Sequence, residues 1–276
     1  MAVIGGIYDP AGAFDNSTDL GIDSLYVLDW NKPLSDIGNG MSLTAACALS
    51  ASRSRTPLVT IQPVANPKIT KNPANTLSHI AAGLYDANTR AIAASMNAYG
   101  GPAYLRWGPE MDDPDNIGRY EWAVPPEQAS DYAAAYRRRT DIYRFYTNNL
   151  PGQSFVWSPT PTAFYYLYFP GYSYVDYVGG AVFGWSLYQG ASASSFNNQL
   201  ALIYSQLSSY GKPVMLEIGC EAGDDQATWS SDAKAAFGGY PLLYAAVWYS
   251  ARDNYPWLVN GPVPDFTATP AVWYTG

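Results

Sequence analysis

The sequence predicts one (β/α)8 barrel domain over residues 1–276, and three observations support that fold class. Eight short and nearly continuous apolar runs recur along the 276-residue chain, as is typical of strands buried on both faces of a parallel sheet. Segments with helical spacing of apolar residues lie between several of these runs. No shift in composition marks a domain boundary, and barrels of this length are commonly single domains. Alternating strands and helices near a count of eight favour the barrel.

The apolar runs are the predicted strands, in chain order. They are Val3–Tyr8, Ser24–Trp30, Leu58–Pro63, Ala103–Trp107, Ser154–Trp157, Val175–Phe183, Val214–Ile218 and Leu243–Tyr249. The segment between the first two strands is too short for a full helix, so we expect a reduced first helix. The chain after Tyr249 is rich in proline, which predicts an irregular C-terminal tail.

Five segments between the strands carry helix signals. They are Ser42–Ser52, Ala87–Tyr99, Pro126–Tyr146, Phe196–Tyr210 and Ser231–Phe237. The first is rich in alanine, a strong helix former. The third begins after a Pro-Pro turn, has Glu127 in its first turn and ends before two asparagines, as helix termini commonly do. The fourth repeats Leu200, Ile203 and Leu207 at helical spacing.

Charge and composition exclude several classes of function. Lys and Arg number 15 against 23 Asp and Glu, for a net charge of −8. An acidic surface argues against a nucleic-acid partner or an anionic membrane, and no run approaches the ~18 apolar residues of a membrane span. His79 is the single histidine, and there are two cysteines. That supply is too small for a His/Cys zinc site, and we expect neither metal nor cofactor.

The two cysteines, Cys47 and Cys220, form at most one bridge, and we favour two buried thiols. The first residues lack a basic stretch followed by a long apolar segment, so we expect no signal peptide. Low charge with many Tyr, Asn and Ser residues nevertheless suits an extracellular protein, including one attached to a virion or a larger assembly. We expect a monomer.

Aromatic residues are abundant, with 24 Tyr and 9 Trp in an aromatic fraction of 15%. Aromatic rings offer an apolar face, and Tyr and Trp add a polar edge. Such side chains match flat, hydroxyl-rich ligands, of which sugars are the obvious case. Composition therefore mildly favours a glycan partner.

Two of the five glutamates, Glu110 and Glu217, fall at the ends of the fourth and seventh predicted strands. Active sites of such barrels gather at the carboxyl ends of the strands. Two carboxyls there can divide the cleavage of a glycosidic bond, one donating a proton and one attacking or activating water. Arg106 precedes Glu110 by four residues, and its charge would hold Glu217 ionised at close range.

Other side chains at the predicted strand ends are candidates for substrate binding. Besides Arg106 they are Asp29, Trp30, Trp107, Trp185, Tyr188 and Trp248. Each tryptophan alone is more often a packing residue than a platform for sugar. Arg106 alone is equally compatible with a structural ion pair, and a glutamate after a strand with a structural hydrogen-bonding role.

The sequence resembles glycoside hydrolase family 26, the β-mannanase family of retaining barrel glycosidases, along most of its length. The similarity runs through Leu77 to Asp112, which ends in YLRWGPEMD, and through Ser130 to Arg144. The segments FVWSPT, YVDYVGG and KPVMLEIG then follow in the order of the fifth, sixth and seventh strands. The combination is specific to the family, although no single segment is.

The resemblance implies hydrolysis of a β-linked polysaccharide with retention, through a covalent glycosyl-enzyme. Glu110 corresponds to the general acid/base and Glu217 to the nucleophile, with carboxyls about 5–5.5 Å apart. Arg106 matches the family arginine before the acid/base, and Trp248 matches an aromatic residue lining the sugar site.

Three positions depart from the family pattern. Pro109 replaces a histidine, Phe183 replaces a tyrosine and Asp112 replaces an asparagine. The first two changes delete hydrogen-bonding groups beside the reacting centre, while neither removes a carboxylate. They leave open a catalytically weak or inactive glycan-binding protein on the same barrel. An inverting hydrolase is a third alternative, which requires a wider carboxyl gap of about 6.5–9.5 Å.

Overall fold

Eight parallel strands form a closed barrel in the chain order β1 to β8, which confirms the predicted fold class. The computed structural model describes residues 3–10, 17, 20–37, 40–184, 196–220 and 226–250. The strands are β1 (Ile4–Tyr8), β2 (Ile22–Val27), β3 (Thr56–Ile61), β4 (Ala103–Trp107), β5 (Gln153–Trp157), β6 (Tyr177–Gly184), β7 (Val214–Cys220) and β8 (Leu243–Tyr249).

The residues that the structure describes include six α-helices between the strands. They are α1 (Leu43–Ser52), α2 (Thr76–Ala81), α3 (Asp86–Tyr99), α4 (Ala129–Thr147), α5 (Phe196–Leu207) and α6 (Gln226–Phe237). Five correspond to the predicted helices, whereas the six-residue α2 is too short to give a helical period in the sequence. Short 3-10 helices cover Pro73–Asn75, Pro126–Gln128, Tyr165–Tyr168, Tyr172–Tyr174 and Ser208–Tyr210. None of the described helices is both long enough and apolar enough to cross a bilayer.

The chain groups into two compact units, and each contains several of the paired strands. The first comprises the described residues of Met1–Ser24, Arg53–Arg55 and Val178–Gly276. In it β7 pairs with β6 and β8, and β8 pairs with β1. Gly6 on β1 is required by close packing, because a Cβ atom there would lie 2.8 Å from the Cβ of Ile22. The domain boundaries predicted from sequence stay a prediction.

The second unit comprises Leu25–Ser52 and Thr56–Tyr177. In it β4 pairs with β3 and β5, with Arg106 opposite Thr60 on one side and Val156 on the other. Helix α4 packs on α2 and α3, and an Arg138–Asp86 ion pair at 2.7 Å joins α4 to α3. This unit therefore supplies a rigid support for the carboxyl end of β4.

Two strands begin about two residues before their predicted positions. The run Leu28–Trp30 follows the end of β2 at Val27, and Leu28 is 56% exposed, so this segment is not part of the strand. Strand β3 starts before Pro57, since a proline near the start of a strand costs few ladder hydrogen bonds. The predicted reduced first helix falls largely on residues 11–16 and 18–19, and the predicted tail falls on 251–276. Both lie outside the described residues.

Candidate active site

Arg106 is a buried cation, held at a fixed orientation by neutral side chains of neighbouring strands. Its Nε donates to Thr60 Oγ1 at 2.8 Å, and its Nη2 donates to the hydroxyl of Tyr26 at 2.7 Å. The guanidinium carbon lies 5.6 Å from the centre of the Tyr26 ring, which adds a cation–π attraction. Only 4% of Arg106 is exposed. The side chain is therefore preorganised rather than flexible.

Trp107, the next residue on β4, points away from Arg106, as alternation along a strand requires. Its ring packs against Tyr132 and Tyr136 of α4 and against Trp30, at centroid distances of 5.5, 6.0 and 6.2 Å. Trp30 also stacks on Tyr85 and donates through Nε1 to the Val64 carbonyl. Both tryptophans are at most 2% exposed. A ring this buried has no open face for a sugar, so packing is the role that the structure supports for these two.

Asp29 stays half-buried at the surface, where it orders the turn after β2. Its Oδ1 accepts from the backbone N–H and from Nδ2 of Asn31, at 2.9 and 3.0 Å. Together with Lys32 and Asp36 it lines a shallow pocket of about 230 Å³. Asp29 therefore borders this pocket while its carboxylate orders the turn.

Glu110 lies in a tight turn after β4 with a left-handed backbone. Its φ is 55°, and Gly108 also has a positive φ of 50°. The Glu110 N–H donates to the carbonyl of Ser158 at 2.7 Å, and its half-buried carboxyl accepts from Asn116 Nδ2 at 3.4 Å. Positive φ is disfavoured for residues with a Cβ. The surrounding contacts therefore hold this residue in its conformation.

Hydrogen bonds from Tyr132 of α4 and from Trp122, which precedes α4, hold the same turn. The Tyr132 hydroxyl donates to the carbonyls of Trp107 and Gly108 at 3.0 and 3.1 Å. Trp122 Nε1 donates to the Pro109 carbonyl at 2.8 Å. The carbonyl of Pro109, a position that departs from the family pattern, therefore has a hydrogen-bond donor within the turn.

Asp112, two residues after Glu110, ties this turn to the segment after β5. Its Oδ1 accepts from the Thr160 N–H at 2.7 Å. Its Oδ2 accepts from the Thr162 N–H at 3.4 Å and from Thr162 Oγ1 at 3.1 Å. The side chain is 4% exposed. Burial raises the pKa of the Asp112 carboxyl to about 6, against the lowering effect of these hydrogen bonds.

Glu217 lies on β7 in the other unit. Every residue of β7 is buried, and Glu217 is 9% exposed. Its neighbours in register are Ala181 on β6 and Val247 on β8. Both register partners have aliphatic side chains without a hydrogen-bonding group.

Three half-exposed aromatic rings lie one pleat farther toward the carboxyl ends. Tyr249 stacks on Tyr8 with centroids 5.0 Å apart and meets Phe183 edge-on at 6.2 Å. Gly219 is the register partner of Phe183 and carries no side chain, which leaves room for Phe183 and Tyr249 to meet. Tyr8, Phe183 and Tyr249 are called the aromatic rim below. The rim gives the Glu217 strand a partly apolar, hydroxyl-bearing border.

Trp248 does not belong to this rim. Its ring is fully buried and packs edge-on against Trp229 of α6 at 5.5 Å. Alternation turns Trp248 toward the helix and its neighbour Tyr249 to the opposite face. Side chains alternate between the two faces of a strand. Counting by two from Glu217 and its register partners is the signal that could have found Tyr8 and Tyr249. The remaining candidates Trp185 and Tyr188 lie outside the described residues.

Comparison of the fold with solved structures gives several family 26 mannanases, whereas no protein-family model and no curated protein matches the sequence. A family 26 β-mannanase of Bacteroides ovatus is 16% identical, with a TM-score of 0.71 over 99% of this chain and 88% of its own. A modular endo-β-1,4-mannanase of Cellulomonas fimi is 14% identical, with a TM-score of 0.72 over 100% and 71%. A Bacillus subtilis mannanase is 18% identical, with a TM-score of 0.65 over 92% and 81%. The resemblance stated from the sequence is therefore confirmed for the fold.

Proposed function

We propose that this protein is a retaining endo-β-glycanase that cleaves mannan-like or other β-linked polysaccharides. The observation that carries the proposal is the position of two carboxyls in a closed parallel barrel: Glu110 follows β4, and Glu217 lies at the middle of β7, three residues before its carboxyl end. The carboxyl ends of the strands are where barrels of this class carry out their chemistry. The fold shared with family 26 mannanases supports the same class of reaction.

In the proposed mechanism Glu217 is the nucleophile and Glu110 is the acid/base. The Glu217 carboxylate attacks the anomeric carbon while the Glu110 carboxyl protonates the departing glycosidic oxygen. Water then attacks the glycosyl-enzyme, its proton passes to Glu110, and Glu217 is released as carboxylate. Net hydrolysis consumes one water and retains the anomeric configuration. The mechanism requires carboxyls about 5–5.5 Å apart, which stays a prediction.

Arg106 and the aromatic rim are the groups proposed to bind substrate beside these carboxyls. Tyr8 and Tyr249 offer both a ring face and a hydroxyl, which suit a pyranose. Arg106 supplies a fixed positive charge that favours the ionised form of a nearby carboxyl. The related structures are of mannanases, one of them an endo-β-1,4-mannanase, so a β-1,4-mannan is the first substrate to try. We propose action outside the cell as a monomer, without metal or cofactor.

The second candidate function is glycan binding without turnover. Pro109 and Phe183 carry no side-chain hydrogen-bonding group at positions where the family has one, and Phe183 packs on Tyr249 instead. A weakened reacting centre with an intact aromatic rim is what a binding protein needs. The two functions differ in whether bonds break, and a direct assay separates them.

The deciding experiment is a reducing-end assay on mannan, glucomannan, xylan, mixed-linkage glucan and a bacterial exopolysaccharide. We expect wild-type turnover on one polymer, none for Glu217→Ala, and full activity for the control Glu127→Ala, an exposed glutamate. Activity that survives in Glu217→Ala contradicts the assignment of the nucleophile. Binding without turnover by the wild type on every polymer favours the second candidate.

Leaving-group dependence and product stereochemistry test the rest of the mechanism. Glu110→Ala should slow the polymer far more than an activated aryl glycoside, because only the former leaving group needs protonation. Equal losses on both substrates would remove Glu110 from the acid role. NMR of the first product anomer should show retention, and an inverted product would establish the single-displacement alternative.

A further inference from the structure

We propose that Asp112 is a positioning residue for Glu110, which fixes the acid/base by joining the turn after β4 to the segment after β5. The inference rests on the proposed function, because it concerns the orientation of the proposed proton donor. Within the part of the chain that the structure describes, the Asp112 carboxyl bonds to Thr160 and Thr162 and not to the Glu110 carboxyl. It acts through the backbone on which Glu110 is carried.

Two sets of hydrogen bonds join the same two segments. One is the backbone bond from the Glu110 N–H to the Ser158 carbonyl at 2.7 Å. The other is the Asp112 carboxyl, which accepts from Thr160 and Thr162 through three donors. Ser158 precedes Thr160 by two residues. The Asp112 carboxyl therefore holds the segment that carries the Ser158 carbonyl, the acceptor of the Glu110 hydrogen bond. We call residues 108–112 and 158–162 with these bonds the clasp.

Glu110 needs such a clasp because its backbone is in the left-handed region, with φ at 55°. A residue with a Cβ relaxes out of that region unless its surroundings determine it. The carboxyl of a relaxed Glu110 would point elsewhere, and a misplacement of about 1 Å can cost about 100-fold in rate. Loss of the clasp is therefore expected to lower kcat while substrate binding persists.

The clasp also has a charge, which makes its strength depend on pH. The Asp112 partners are three neutral donors, and hydrogen bonds to an ionised acceptor are roughly twice as strong as neutral ones. The titratable groups that face it are Tyr132 of α4 and Tyr168 of the Tyr165–Tyr168 3-10 helix, and burial raises the pKa of both. Both stay neutral while Asp112, whose pKa is raised to about 6, changes charge. The clasp is strong above this pH and weaker in acid.

The test combines kinetics with amide hydrogen exchange on Asp112→Ala, Asp112→Asn and Thr162→Val. Asp176→Asn is the matched control, because Asp176 also accepts a backbone N–H, from Phe155 at 2.8 Å, but outside the clasp. On β-1,4-mannohexaose, or the polymer that the wild type cleaves, Asp112→Ala should lower kcat about 10- to 100-fold. KM should stay within about twofold.

Asp112→Asn should recover part of that loss, because one amide oxygen still accepts from Thr160, and its kcat should fall off in acid at lower pH than that of the wild type. Thr162→Val removes one donor and no charge, so a smaller loss is expected in a variant that keeps the carboxyl. Unchanged kcat in Asp112→Ala, or equal losses in the Asp176→Asn control, would overturn the proposal.

Exchange of the Glu110 amide hydrogen gives a readout that needs no activity. Asp112→Ala should speed it at least about tenfold, which corresponds to loss of its protected hydrogen bond, and Asp176→Asn should not. Unchanged exchange in Asp112→Ala overturns the clasp whatever the kinetics. If the wild type cleaves no polymer, the proposed function is refuted but the clasp is not. The exchange measurement then still decides whether Asp112 holds Glu110.

Discussion

Asp112 shows at the scale of one residue how a site can cost stability. An ionised carboxyl with 4% exposure loses most of its hydration, and three hydrogen bonds to neutral donors return only part of it. Its pKa is raised from the ordinary value of 3.8 to about 6. The folded protein therefore holds the Asp112 proton more tightly than the unfolded chain does. The ionised Asp112 thus lowers the stability of the fold, while its hydrogen bonds support the proposed orientation of Glu110.

The pH dependence of unfolding follows from this shift. The contribution of Asp112 to stability is fully present below pH about 4 and is lost as pH rises through about 6. The loss is about 3 kcal/mol, since one pKa unit is worth about 1.4 kcal/mol. Relative to Asp112→Asn, which cannot ionise, the wild type should lose this amount between pH 4 and pH 7. Urea unfolding of both proteins at several pH values measures it, and parallel curves would contradict a shifted Asp112.

At the scale of the element, strand β1 is constrained by what lies beside Gly6. A Cβ atom at Gly6 would meet Ile22 Cβ at 2.8 Å and Val247 Cγ2 at 3.0 Å, on the strands at either side of β1. The first atom belongs directly to a strand and cannot swing away. At Gly5 the corresponding contact is an ordinary 3.8 Å to Leu20 Cδ2. The two neighbouring glycines thus form a matched pair.

We expect Gly6→Ala to destabilise the protein by about 1–3 kcal/mol, the usual cost of overpacking a close-packed interior. Gly5→Ala should stay within about 0.5 kcal/mol of the wild type. Thermal unfolding of the two variants compares these costs directly. Equal effects of the two substitutions would show that β1 moves to relieve the contact.

Strand existence could be predicted from the sequence more readily than the direction of each side chain. The apolar runs located β4 and β8 to the residue, because continuous burial leaves an unmistakable pattern. The same continuity removes the alternation that distinguishes the two faces. The sequence therefore placed Trp107 and Trp248 among the substrate-binding candidates. In the structure both tryptophans point toward helices, where their rings pack: Trp107 against α4 and Trp248 against α6.

The clasp and the aromatic rim could not be predicted for a related reason. Both depend on contacts between residues far apart in the chain, such as Asp112 with Thr160 or Tyr8 with Tyr249. Sequence periodicity reports only local order, so it locates Glu110 at a strand end without showing its left-handed backbone. Glu110 and Glu217 were chosen as candidates because glutamates are few, and strand ends are where carboxyls meet substrate in barrels; their catalytic roles stay predictions.

At the scale of the whole molecule, we expect the barrel to unfold in one cooperative transition. Closing a barrel pairs every strand on both sides, which removes free edges and favours a single transition. The chain nevertheless groups into two compact units. Each contains one buried cysteine that is in no disulfide, Cys220 in the first unit and Cys47 in the second. These thiols confirm the prediction of two buried cysteines, and they can report on each unit separately.

Burial raises the pKa of the Cys47 thiol to about 12, and the reactive thiolate is therefore scarce until the second unit opens. Cys220 is 1% exposed, so its labelling likewise requires opening of the first unit. We expect the single-cysteine variants Cys47→Ala and Cys220→Ala to become labelled at the same urea concentration, coincident with the loss of helical circular dichroism. Coincident midpoints would establish one domain over the barrel. Two separate midpoints would contradict it and identify which unit opens first, because each variant retains the thiol of one unit only.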